Sequence, residues 1–493
     1  MDVADARSLA LALKSLLQQA HHLVDESQPP PELYVKVSDH VGGRLRDLVS
    51  VTLAFPEWEH VNLQRGVDAY LAAHSPQAEW FGVSGHGREH TDFMNLLAVS
   101  SRWERYEIGA VDYRTAATGP DEAVEVVTFG LVLTRAPDGA PIVLGMRGPA
   151  EMYGMEGCRV EILAASRSSA TAARAEIERL MREHDVYRGQ VLTFGFNEHR
   201  GNSVVSFFPR PALRPQDVIL PEGVLETVER HVIGIAEHAE ALRAHGQHLK
   251  RGLLLHGPPG TGKTHTVRYL MSRLPGVTVI VMSGPAMQFI GQAAGLARRL
   301  QPAVVVLEDV DLVAQDRSLM EDSSPLLFTL FDAMDGIGGD ADVTFVLTTN
   351  RPEVLEDALA NRPGRIDLAV EVPRPDAEAR RALLRLYSRD LELRADLEPI
   401  VARTEGMTAS FFKELLRRAV LVALREDGRV GALTDGHLSA ALEEMMASRE
   451  ALTRSLLGSA PGDEEEGQGE EPPGFPAPGI AAARPGRVFL RPR

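Results

Sequence analysis

Gly252-Leu253-Leu254-Leu255-His256-Gly257-Pro258-Pro259-Gly260-Thr261-Gly262-Lys263-Thr264 is the stretch that decides the fold of this chain. Residues 252–256 read as a short buried strand, and residues 266–274 read as a helix. Between them lies a complete G-x-x-x-x-G-K-[ST] pattern, Gly257 to Thr264. Glycines at such positions let backbone N–H groups turn inward as an anion-binding nest, which side chains would obstruct. The helix start adds partial positive charge. A nucleotide polyphosphate suits this arrangement, with Lys263 bridging the β- and γ-phosphates and the Thr264 hydroxyl on Mg²⁺. His265, the next residue, belongs to the same expected nucleotide-binding set.

Three further elements follow at ordered spacing. Ala303-Val304-Val305-Val306-Leu307 is a continuous apolar run of the kind a central parallel strand needs, and it ends in Glu308-Asp309. Carboxylates at the C-terminal end of such a strand face the crevice where ligands bind. One would hold Mg²⁺ and the other would polarise the attacking water; the alternative is two acids capping the next helix. Val343 to Asn350 reads as a strand with a polar end, where Asn350 reaches the γ-phosphate or the attacking water. Arg362 and Arg365, in a loop stiffened by Pro363 and Gly364, form a cationic prong or else two solvated arginines. An arginine that reaches a γ-phosphate, even from a neighbouring subunit, adds orders of magnitude in rate.

Together these elements resemble the AAA family of AAA+ ATPases over residues 217 to about 450. The resemblance includes Leu326 to Gly336, Thr349-Asn350, the Ala360 to Asp367 loop and the junction Val372-Pro373-Arg374-Pro375-Asp376 with Arg380. It implies ATP hydrolysis with Mg²⁺ in a ring, usually a hexamer, that works on a protein client. It also implies Asn350 as the first sensor and Arg362 and Arg365 as fingers completing the neighbouring site. Asp217-Val218-Ile219 is a faint form of the family's adenine-packing segment. Phe289-Ile290-Gly291 resembles the aromatic loop with which such rings grip polypeptide; the alternative is that Phe289 packs beneath its loop.

The sequence departs from the family at two further places. The Glu308-Asp309 order is reversed relative to most members and resembles the branch containing the mitochondrial Rieske-protein translocase. By position, Glu308 goes to the metal and Asp309 to the water. Gly406-Met407-Thr408-Ala409-Ser410-Phe411 replaces the usual Gly-Phe-Ser-Gly-Ala-Asp of the lid.

Around this core the expected organisation is an N-terminal helical region (1–104), a smaller α+β domain of substrate or adaptor type (105–208) and a proline-rich linker (209–216). An α/β core (217–375) with a doubly wound parallel sheet follows, then a helical lid (376–450) and a disordered tail (459–493). Leu9 to Leu17 should line one helix, and a second helical stretch should run from about Leu48 to Leu71. Val191 to Phe194 should close a strand–helix–strand unit within 105–208.

Composition narrows the function. The 493 residues exceed one ordinary core, and 44% apolar with 25% charged is a globular balance. With 69 acidic against 52 basic residues the net charge is -17, which argues against a nucleic-acid partner. The single cysteine, Cys158, excludes an intrachain disulfide and a cysteine-built zinc site, and reads as a small buried residue. No HExxH motif supports a fused zinc protease of that type. No apolar run approaches the roughly 18 residues of a membrane span, so a cytoplasmic protein is expected. A nucleotide-controlled scaffold with slow hydrolysis is the second functional reading.

Overall fold

The computed structural model describes residues 15 and 31–456, except 86, 89–90, 101–105, 150–156, 196–204, 312–329, 331, 354–365 and 429–430. The leucines from Leu9 to Leu17, residues 326–329 and 331 of the 326–336 segment, Arg362 and Arg365, and the 459–493 tail lie outside the described residues.

The first module runs α1 (Glu32–Val41), β1 (Val49–Pro56), α2 (His60–His74), β2 (Trp80–Ser84), α3 (Phe93–Ser100), β3 (Glu107–Gly109), β4 (Asp112–Ala117), β5 (Ala123–Arg135), β6 (Pro141–Arg147), β7 (Gly157–Ala164) and α4 (Arg167–Glu183). Its seven-stranded sheet has the order β1-β7-β6-β5-β2-β3, with β4 also on β5, and every pairing is antiparallel. Helices cover both faces. Leu63, Val67 and Tyr70 of α2 and Ile177 of α4 pack on one face, and Leu33, Val37, Phe93 and Leu96 of α1 and α3 on the other. The β5–β6 turn closes at Gly139, in left-handed backbone at φ 84. Asp138 accepts hydrogen bonds there from Ala140 N at 3.0 Å and Ser169 Oγ at 2.6 Å, which ties the turn to the start of α4. Cys158 is buried, and burial pushes its thiol up to about 12.

Two expectations are corrected here. The stretch 48–71 is not one helix: its first part is β1, because Val49, Val51, Leu53 and Phe55 alternate with smaller residues at period two. β1 and β2 therefore join the same sheet as the strands beyond residue 105. Val191–Phe194 (β8) does not close a unit of the first module. It enters the second sheet, pairing Val191 with Val279 and Leu192 with Ile280. The reason is its two apolar faces: Val191 belongs to one core, Leu192 and Phe194 to the opposite one, so it needs a sheet covered on both sides.

That second sheet contains β8, β9 (Val205–Phe208), β10 (Arg251–His256), β11 (Thr278–Ser283), β12 (Ala303–Glu308), β13 (Val343–Thr349) and β14 (Leu368–Glu371). Their order is β14-β10-β13-β12-β11-β8-β9, parallel throughout except for the edge strand β9. α5 (Lys263–Arg273) and a broken helical segment at 224–244 cover one face, and α6 (Ile290–Arg299) the other. This is the doubly wound parallel sheet expected from the sequence. α7 (Ala377–Tyr387), α8 (Glu398–Arg403), α9 (Ala409–Asp427) and α10 (Asp435–Leu456) form a helical lid around Leu384, Phe412, Leu415 and Leu442.

The two sheets are joined by more than the chain between them. Arg299, at the end of α6, reaches Glu59 at 2.7 Å and Asp185 at 3.0 Å, two almost fully buried carboxylates of the first module. Trp58 meets Phe194 edge-on at 6.3 Å.

Candidate nucleotide site

β10 delivers the chain to the loop at the point where its neighbours in the sheet are β13 and β14, so the crevice opens at the C-terminal strand ends. Two glycines there have no alternative. A Cβ on Gly257 (φ +141) would lie 2.3 Å from Val372 O, and one on Gly260 (φ +77) would lie 2.4 Å from Ser410 Oγ. The loop is thus pressed between the core and the first turn of the lid helix α9, where Ser410 N donates to Gly260 O at 3.1 Å.

Lys263 opens α5 and is 5% exposed. Its ammonium donates to Gly257 O at 2.8 Å, Pro258 O at 2.9 Å and Asn350 Oδ1 at 2.7 Å. Burial lowers its pKa, while the charges of Asp309 and Asp311 pull it back up. Asn350 in turn donates from Nδ2 to Asp309 Oδ1 at 3.3 Å. Asp309 has φ 53, the one non-glycine residue with positive φ among those described, and its N–H donates to Thr348 Oγ1 at 3.0 Å. Glu308 ends β12, and the Thr264 side chain is among the groups that act on its carboxyl. Burial raises the Glu308 pKa; the Thr264 side chain and Arg268 oppose the rise, and Asp309 adds to it.

A cavity of about 420 Å³ opens over these groups, lined by Lys263, Thr264, Asp309 and Asn350 from the core and by Ser410 and Lys413 from the lid. Residues 253–374 match the family described as "ATPase family associated with various cellular activities (AAA)". This chain carries an AAA ATPase domain. Over 260 residues, 49% of this chain and 33% of the relative, it is 32% identical to "ATP-dependent zinc metalloprotease FtsH" of Mycobacterium tuberculosis. Over 232 residues, 44% of this chain and 54% of the relative, it is 31% identical to "Proteasome-activating nucleotidase" of Methanocaldococcus jannaschii. "ATPase family gene 2 protein" of Schizosaccharomyces pombe is 28% identical over 278 residues, 54% of this chain and 34% of the relative. The chain spans about a third of the length of the mycobacterial relatives it matches. No helix among the described residues is long and apolar enough to cross a membrane.

The AAA domain brings most of the expected site residues together. Pro259, Gly260, Gly262, Lys263, Thr264, His265, Asp309 and Asn350 line one crevice; Gly257 and Pro258 adjoin it through Lys263, and Glu308 through Thr264. Asp217, with Val218 the pair expected on the adenine, adjoins the end of the phosphate loop through His265. His265 Nε2 bonds Asp217 O at 2.8 Å, and the Asp217 carboxylate accepts from Arg214 N and from Arg389 of the lid, both at 2.9 Å. A carboxylate held by two donors ties linker to lid, and those bonds hold its pKa low, the Arg214 N–H foremost.

Phe289 is not on a free loop. It ends a 3₁₀ turn, Gly284–Phe289, that runs directly into α6, lies half-buried with its ring centre 6.5 Å from that of Phe194, and is followed by Ile290 in the core. The pattern Phe-Ile-Gly is therefore a packing signal, because the 3.6-residue period of α6 turns Ile290, Ala293 and Ala297 inward.

Reading the sequence also missed residues. Asp311, 3% exposed, accepts hydrogen bonds at Oδ1 from Thr349 Oγ1 at 3.0 Å and Asn350 N at 3.1 Å, and so fixes the sensor asparagine. Its spacing from Asp309 was the available signal. Arg268, Tyr387, Ser410 and Lys413 also line the cavity; the last three come from the lid, and no local pattern announces that contact.

Proposed function

We propose that this chain is a Mg²⁺-dependent ATP hydrolase of the AAA type, acting as a homo-hexameric ring that remodels or translocates a protein client. A cytoplasmic location is part of the same reading. The observation that carries it is the contact of Lys263 Nζ with Asn350 Oδ1 at 2.7 Å, beside two acids on the adjoining strand. Loop amides and the start of α5 hold the phosphates, and Lys263 exchanges its carbonyl contacts for phosphate oxygens. Asn350 orients the attacking water and Asp309 takes its proton, with the Asp309 carboxylate aimed by the Asn350 amide.

Thr264 and Glu308 would hold Mg²⁺. Their fit rests on donor chemistry: a hydroxyl and a carboxylate, oxygen donors of the type this hard cation prefers, close enough for the Thr264 side chain to act on the Glu308 carboxyl. When bound, Mg²⁺ neutralises charge on the phosphates. Arg362 and Arg365 act on the neighbouring subunit's nucleotide. What the chain grips in its client is not assigned to Phe289, whose ring is already packed.

Glu308→Gln combined with Asp309→Asn should leave ATP bound while turnover falls at least about 100-fold. Wild-type turnover in that variant, measured as phosphate release, contradicts the site. Mixing Arg365→Ala with Lys263→Ala subunits tests the ring: restored turnover supports sites shared between neighbours, and none argues against them.

A further inference from the structure

A groove of about 680 Å³ lies where the two sheets meet. β4 of the first sheet lines it with Arg114, Thr115, Ala116 and Ala117, and β9 of the second with Val205 and Phe207. Trp58 and Tyr187 also line it, the Tyr187 ring centre 5.5 Å from that of Phe207. Among the described residues β4 pairs only with β5, so its other edge offers backbone N–H and C=O groups to no strand. The charged side chains of β4 are already engaged, Asp112 with Arg88 and Arg114 with Glu57. Asp121 and Glu122, in the turn after β4, add to the lining, and among the described residues no ion pair engages either of them. The groove is therefore aromatic and acidic, and an open strand edge borders it.

The chain carries one segment of matching chemistry. Beyond residue 456, Gly486-Arg487-Val488-Phe489-Leu490-Arg491 stands between Pro485 and Pro492. Proline lacks the N–H that a ladder needs, so the run able to pair is as long as the 6 residues of β4. In extended backbone Arg487, Phe489 and Arg491 share one face, an aromatic ring between two cations. No acid occurs from 472 to 493, and Phe475, between Gly474 and Pro476, lacks the flanking cations. The roughly 30 residues from 457 to 486 reach up to about 100 Å. That exceeds the dimensions of a folded body of this size, whose radius of gyration is about 22 Å.

We propose that residues 486–491 of the same chain add to the open edge of β4 as a further strand. Phe489 enters the aromatic groove, the flanking arginines meet its acids, and the tail clips the first sheet to the second.

Cross-linking in the full chain tests this, because the single native cysteine is buried with its thiol pushed up to about 12 and stays silent. Thr115→Cys, at an exposed position of β4, is combined with Leu490→Cys; Leu421→Cys, exposed on α9, replaces Thr115→Cys as the control. A short bismaleimide should join positions 115 and 490 within one chain at least about 10-fold faster than positions 421 and 490. Phe489→Ala, or Asp121→Lys with Glu122→Lys, should bring the first rate down to the second. Arg487→Glu with Arg491→Glu should restore it in the chain carrying Asp121→Lys and Glu122→Lys. Equal rates at 115 and 421, a rate indifferent to Phe489 and the two acids, or a product that links two copies overturns the inference.

Discussion

The chain builds two seven-stranded sheets, each covered by helices on both faces, and among the described residues the nucleotide-site side chains gather on the second. In the second sheet β10, β12 and β13 run parallel, so their C-terminal ends emerge together and bring Lys263, Glu308, Asp309 and Asn350 to one crevice. In the first sheet every neighbour is antiparallel, so strand ends alternate and polar residues are dispersed. There the buried polar groups serve the fold. Arg147 lies 3.7 Å from Glu161 and stacks over Phe93, and Glu161 also accepts from Phe93 N at 3.0 Å. Strand direction, more than core size or composition, decides which half can hold a triphosphate.

Three measurements press on this contrast. The largest effect should come from Lys263→Ala. ADP affinity should fall more than about 1000-fold, equivalent to about 4 kcal/mol, and protection of the second module from thermal unfolding by ADP should vanish. Without nucleotide the variant should melt as the wild type does. Loss of the first module's fold in this variant breaks the separation of roles.

Next comes acid. His60 is fully buried, donates from Nε2 to Val127 O at 2.8 Å, and has its pKa lowered to about 4 by burial first and then by the charge of Arg114. The unfolded chain therefore takes up this proton at higher pH than the folded one. Stability from this group is complete above pH 6.5 and is lost as pH falls toward 4, by roughly 3 kcal/mol. Urea melts of the chain at pH 7 and pH 4.5 should show that slope, and His60→Gln should flatten it. A slope that survives in His60→Gln assigns it elsewhere.

The smallest effect is expected at the join. Arg299→Ala leaves Glu59 and Asp185 buried without their cation, at a cost of about 2 kcal/mol once the partial exposure of Arg299 is considered. Wild-type modules should melt together and the variant's apart, followed by calorimetry. A single transition in both would show that the coupling lies in the backbone alone.

Legibility divided along the same line. The loop Gly257–Thr264, the acids after β12 and Asn350 after β13 were readable because phosphate binding constrains residue type over a few consecutive positions. The lid contacts of Ser410 and Lys413 were not, since they depend on how α9 docks on Gly260 across a long sequence separation. Glycine 260 held half of that information: its left-handed backbone was foreseeable, and the hydroxyl that a Cβ would strike was not. In the first module, Val49 to Phe55 offered period two and was misjudged because it abuts the helical stretch of α2. Val191 to Phe194 offered a strand but not its sheet, a choice made by apolar residues on both of its faces.

The passage from α4 to β8 has a mechanical meaning. β8 lies inside the second sheet and parallel to β11, so tension on the first module would load their evenly spaced backbone bonds along the strand axis. β11 in turn pairs with β12, which ends in Glu308. The halves are joined through a strand that stands two places from the one ending in Glu308.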